Sequence, residues 1–212
     1  YTQSANDGEY VYNTQAIAAR SWRELCLQYL LLAVDNKIPQ QLAAQQYQQA
    51  QHMSDRMSAL RGLVHSQASQ AAECLQDFYQ HFEQEALVID SWFAVQATNA
   101  QASMSDIKAL TEHQAFSLTN PNRLRSVLAQ FANGNPVLFH QKNGEGYRFI
   151  AQKIAELDKL NPQIASRLLG AFSRWQRLES GLKQQAQLAL QQLNEQSLSN
   201  DTFETLNRLL NG

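Results

Sequence analysis

The 212-residue chain sets 17 Lys and Arg against 19 Asp and Glu, for a net charge of −2, with charged residues at only 17%, below the roughly 25% of an average soluble protein. That balance provides no basic field to hold a phosphate backbone, and the longest apolar candidate, Leu30-Leu31-Leu32-Ala33-Val34, falls far short of the ~20 residues that span a bilayer. The expectation is no nucleic acid and no membrane, with length enough to bury a real core in one domain or two small ones.

In chain order, residues 1–13, with Gly8 and the aromatics Tyr10 and Tyr12, read as an extended lead-in from a preceding domain. The chain opens on Tyr1 with no initiator methionine or targeting segment, which suggests a piece of something longer. Residues 14–212 read as a single helical domain. Ala18, Trp22, Leu25, Tyr29 and Leu32 repeat at 4-3-4-3 spacing, and Pro39 ends any continuation and starts the next helix at Gln40. Ser54 offers an N-cap for a helix with Met57, Leu60 and Val64, and Ser66 another for Ala71, Leu75, Phe78 and Phe82. A helix with Val88, Trp92 and Val95 follows, then a short one with Ile107 and Leu110 capped by Ser105. Cys26 and Cys74 sit in amphipathic patterns as small core residues, which favours a reducing compartment. Glutamine pairs such as Gln40-Gln41 and Gln184-Gln185 give the helices neutral polar surfaces, either a habit of composition or a surface that meets another domain.

The stretch from Asn120 to Arg167 is the most specific. Asn120-Pro121 and Asn161-Pro162 each mark a helix start, because the Asn side chain accepts orphan amide hydrogens of the first turn and Pro at the next position has no amide hydrogen to waste. Counting from those starts, Leu124, Val127, Leu128 and Phe131 form one apolar stripe with Arg125 at its margin, and Ile164, Leu168 and Phe172 form the other, with Gln163 and Arg167 paired at i, i+4. Arg125, Gln163 and Arg167 are therefore candidates for one polar surface at helix starts. The bland alternative is that the arginines make interhelical ion pairs or cap carbonyls. Beyond them come helices with Ala186, Ala189 and Leu193 and with Phe203, Leu206 and Leu210.

Around ten amphipathic helices with short turns and no sustained alternation imply an all-α fold. No hairpin can bury its stripe alone, so the chain reads as a superhelix of stacked antiparallel helix hairpins of the armadillo or HEAT kind.

Catalytic patterns are missing. The five histidines, His52, His65, His81, His113 and His140, never recur at a one-turn spacing, and His81 with Glu85 reads as a solvated helix face. Gly144-Glu145-Gly146 does not follow a buried strand, and no Gly-x-Ser-x-Gly elbow occurs. No catalytic residue and no metal ligand is assigned.

The run from Asn120 to Gly146, with Phe139-His140 and Gly144-Glu145-Gly146-Tyr147, followed by Asn161 to Leu168, resembles the C-terminal helical domain of the bacterial aminopeptidase N family, zinc-dependent alanyl aminopeptidases of the gluzincin type. The likeness extends to Ala16 through Leu27 and Val88 through Thr98. It implies a domain that closes over the catalytic domain of the same parent chain, with Gln163, Arg125 and Arg167 lining the enclosed cavity. Gln163 would contact the first side chain of a peptide substrate, and the arginines its carbonyls or carboxylate. It also implies a cytoplasmic enzyme that releases N-terminal residues such as alanine. The zinc would lie in the catalytic domain, because this sequence lacks both His-Glu-x-x-His and the Gly-x-Met-Glu-Asn stretch; the fragment alone is expected to be inactive. The competing expectation is a freestanding helical-repeat module that binds a peptide or protein partner.

Overall fold

The structure, a computed structural model, describes residues 1, 11–33 and 35–211. Most of the expected lead-in over 1–13 lies outside the described residues. Among those described, every regular element is helical, as the periodicity implies. The chain divides into two compact units, Tyr1–Val95 and Gln96–Gly212.

The first unit holds α1 (Thr14–Leu31), α2 (Lys37–Gln49), α3 (Met53–His65) and α4 (Ala71–Phe82), and most of α5 (Ala86–Ala97). Asn13 begins α1, its Oδ1 accepting from the Ala16 amide at 2.8 Å. Sequential helices pack together, α1 on α2 and α3, α2 on α3, and α3 on α4. His65 Nε2 lies 2.9 Å from the Val95 carbonyl oxygen, and Trp92 donates its indole N–H to the Leu75 carbonyl at 2.9 Å, which ties α5 to its neighbours.

Several local expectations for this half are corrected. The α1 stripe of Trp22, Leu25, Tyr29 and Leu32 is exposed, at 59, 42, 70 and 80%, whereas Leu27 and Leu31 are buried. Spacing identifies a helix and leaves open which of two apolar edges meets α2 and α3; packing selects the one with Leu27 and Leu31. Cys26 is only half-buried for the same reason, while Cys74 is buried as expected. Pro39 does not stop a helix ahead of Gln40. It sits in the first turn of α2, where an amide hydrogen would have had no partner inside the helix. Helix starts also shift by a few residues: α3 follows His52 rather than Ser54, and α4 follows Gln70, while Ser66 closes α3. Neither His52 nor Gln70 makes a side-chain capping bond, so these two helices start without the polar cap that marks a boundary in the sequence.

The second unit begins with α6 (Met104–Glu112), capped by Ser103 rather than Ser105. Ser103 Oγ accepts from the Asp106 amide at 3.2 Å, and Asp106 Oδ2 accepts from the Ser103 amide at 2.8 Å, a reciprocal arrangement that only Ser103 can reach. Next come α7 (Pro121–Leu124), a π-helical turn (Arg125–Ala129), α8 (Gln130–Gly134), α9 (Pro136–Phe139), α10 (Glu145–Asp158) and α11 (Pro162–Leu168). The chain then tightens into a 3-10 turn (Leu169–Phe172), with another at Trp175–Arg177, before α12 (Ser180–Asn194) and α13 (Asn200–Asn211). Pieces as short as four residues occur here, α9 because a third Asn-Pro pair, Asn135-Pro136, restarts the chain. Asn135 is fully buried; its Oδ1 accepts from the Leu138 amide, and its Nδ2 donates to the Ala97 and Asn99 carbonyls.

An aromatic core binds these pieces together. Phe139 packs at 5.8 Å on Phe131, 5.1 Å on Tyr147 and 5.8 Å on Phe172, measured between ring centroids, so α8, α9, α10 and the 3-10 turn share one cluster. Two glycines admit that packing. Gly144 caps α10 at φ +69°, and a Cβ on Gly146 would come within 2.6 Å of the Phe139 carbonyl oxygen. In α11 the buried face is Ala165, Leu168, Leu169 and Phe172, with Ile164 only half-buried, a correction to the expected stripe. The turn from α-helix to 3-10 geometry after Leu168 rotates the later side chains inward.

Candidate functional site

The two Asn-Pro starts build the candidate site. Asn120 Oδ1 accepts from the amides of Asn122 and Arg123 at 3.0 and 3.2 Å, and Asn161 Oδ1 from that of Ile164 at 3.2 Å. These caps place α7 and α11 along an open cleft of about 560 Å³, which Arg125, Gln163 and Arg167 all line. Leu124, Ile164 and Leu168 supply apolar wall, and Ala129, Gly170 and Ala171 keep it wide.

All three polar side chains are exposed, and neither arginine has an ion-pair partner among the described residues. The one hydrogen bond Arg125 shows is a long one, 3.4 Å, to Asn122 Oδ1. No Asp or Glu lines the cleft. Two guanidiniums without a carboxylate make it a positive trough with free donor forks, suited to carbonyl and carboxylate oxygens. Arg123, by contrast, is 6% exposed and donates to the Ala115 carbonyl at 2.9 Å, so it is the arginine that holds the framework.

Sequence reasoning missed Asn133 and Ala129 as cleft residues. Ala129 and Asn133 stand four and eight residues beyond Arg125, the ordinary spacing of one helical side, so counting on from Arg125 would have found them. A π-helical turn lies within that run, the Gln130 amide bonding the carbonyl of Arg125, five residues back. The fit for a metal is poor. Among the described residues no group of three or more His, Cys, Asp or Glu side chains could hold an ion, so the zinc that the resemblance implies does not fit this chain's residues. In the first unit, a cleft of about 350 Å³ carries both signs of charge, Glu73 and Asp77 beside Arg56. Its Asp77 is engaged, with Oδ2 2.7 Å from the Tyr47 hydroxyl. Among the described residues no helix is long and apolar enough to cross a membrane.

A family model described as domain of unknown function (DUF3458_C), ARM repeats, matches residues 1–211. The chain belongs to this family. The ARM-repeat description agrees with the all-α, stacked-hairpin fold expected above. Curated relatives of this DUF3458_C domain include aminopeptidase N of Escherichia coli K12, 33% identical over 204 residues, and that of Haemophilus influenzae, 35% identical over 204. Each match covers 95% of this chain, and the chain spans 23% of the length of those relatives. A solved structure, that of Legionella pneumophila aminopeptidase A in complex with aspartic acid, superposes with a TM-score of 0.88 at 26% identity, covering 98% of this chain and 25% of that one. The resemblance to the C-terminal domain of aminopeptidase N is thereby established for the DUF3458_C domain.

Proposed function

We propose that the domain works as part of a zinc-dependent aminopeptidase of the aminopeptidase N kind, with residues 14–212 forming the helical domain that covers the active site of the parent chain's catalytic domain. The parent enzyme would release N-terminal residues such as alanine from peptides. The observation that carries this reading is the cleft itself, in which Arg125, Gln163 and Arg167 stand together with no carboxylate to neutralise them. In this role the arginines bind the carbonyls or C-terminal carboxylate of a peptide, and Gln163 contacts the side chain nearest its amino end. Zinc would supply polarisation of the scissile carbonyl from the catalytic domain. Free Cys26 and Cys74 support a reducing, cytoplasmic setting.

In the full-length enzyme, Arg125→Ala and Arg167→Ala are each expected to lower kcat/KM about tenfold, ~1.4 kcal/mol, with little change in melting temperature. Gln163→Ala should shift preference among N-terminal side chains. Early melting with normal kinetics would show instead that these side chains serve the helices. The isolated 212-residue chain is expected to release no nitroaniline from alanine p-nitroanilide and to bind no stoichiometric zinc. One tight zinc in the purified fragment, measured by metal analysis together with turnover, would overturn the assignment.

A further inference from the structure

The Phe139-His140 and Gly144-to-Tyr147 motif contributes nothing to the arginine cleft, yet it builds a second pocket of about 400 Å³. Asn133, Gly170 and Ala171 line both spaces, so cleft and pocket adjoin in the second unit. A Cβ on Gly170 would meet nothing within 4 Å. Like the cleft, the pocket is lined by no Asp or Glu, and it adds a third guanidinium, that of the exposed Arg174.

Its polar centre is prearranged. The Tyr147 residue is 1% exposed, with its ring fixed in the aromatic core and its hydroxyl 2.7 Å from His140 Nδ1. Burial, with the charge of the nearby Glu179 carboxylate adding to it, pushes the phenol up to about 12, so it stays protonated, and its proton has no other acceptor among the described residues. Burial also holds the His140 imidazole below its ordinary value and hence neutral at neutral pH. A neutral imidazole that accepts at Nδ1 carries its hydrogen on Nε2. That donor has no partner among the described residues, on a half-buried side chain that lines the pocket.

We propose that the His140 pocket is a second peptide subsite. Peptides longer than a dipeptide run from the Arg125, Gln163 and Arg167 cleft across Gly170, a backbone carbonyl accepts from His140 Nε2, and Arg174 meets the carboxylate end. This rests on the peptide-binding reading of the cleft and extends it to substrate length. The groove's run of donors with no carboxylate fits an oxygen-rich, anionic-ended chain better than a cationic one.

Initial rates of the full-length enzyme with alanine p-nitroanilide and with penta-alanine test it. His140→Ala should raise the ratio of the penta-alanine KM to the anilide KM about tenfold. Ser173→Trp, at an exposed position that lines the pocket and not the cleft, should fill the pocket and raise the same ratio by a similar factor. An unchanged ratio in Ser173→Trp overturns the proposal, whether both KM values rise together or neither moves. Arg125→Ala separates the two levels. If it raises the penta-alanine KM while the pocket variants leave the ratio alone, the second subsite fails and the cleft stands; if it leaves the penta-alanine KM unchanged, both fall.

Discussion

Phe139→Ala is expected to lower the unfolding free energy by about 3–5 kcal/mol, the range for removing a buried phenylalanine. Phe139 is 1% exposed and touches the rings of Phe131, Tyr147 and Phe172, at centroid separations of 5.1 to 5.8 Å. The short helix α9 cannot collapse into the hole, since Asn135 holds its start and Gly146 lies against the Phe139 carbonyl. Urea titration of the chain should show the midpoint of the second unit fall by on the order of 2 M at unchanged slope. The loss also reaches function, because the same cluster fixes α8 and the 3-10 turn, which carry Asn133 and Gly170 of the groove. A midpoint within error of the wild type would mean that the aromatic cluster does not hold these short pieces together.

Asp158→Ala should cost about 2–4 kcal/mol, because it strands donors that have been taken out of water. Asp158 ends α10 at 5% exposure and accepts from the Ser199 amide at 2.7 Å, the Ser199 hydroxyl at 2.5 Å and the Thr202 hydroxyl at 2.6 Å. It thereby places a carboxylate at the start of α13, which packs on α11. Burial by itself pushes this carboxyl upward, but the hydrogen bonds from Ser199 and Thr202 prevail and hold it below the usual carboxylate range. A lowered folded-state value means the contribution is full above about pH 4, the ordinary aspartate value, and disappears as pH falls through the lower value of the folded chain. Asp158→Asn should therefore flatten the acid limb of the stability profile between about pH 4 and pH 2. An acid limb identical to wild type would show that another carboxylate controls it.

Asp158 also marks a boundary of what was legible. Carboxylates read along the chain as caps or solvated positions, and nothing local distinguishes Asp158, whose partners lie 41 and 44 residues away. The Arg125, Gln163 and Arg167 set was legible because each stands a few residues from an Asn-Pro pair, a local signal that places a helix start to the residue. Asn133 stands eight residues beyond Arg125 on the same helical side, but nothing local marks its side chain as cleft wall rather than solvated surface. Trp22 and Tyr29 show a clear helical spacing on a face that packing leaves outward.

By itself, then, the sequence determined the helical class, the Asn-Pro helix starts, the family likeness and the absence of a zinc-binding motif, since each depends on residues close together in the chain. Only the tertiary structure decided which face of α1 is buried, that Arg123 supports the framework while Arg125 lines the cleft, and that the pocket of His140 and Tyr147 adjoins that cleft. Those outcomes depend on which surfaces meet across long stretches of chain, where apolar packing selects among faces that look equivalent from within a single helix.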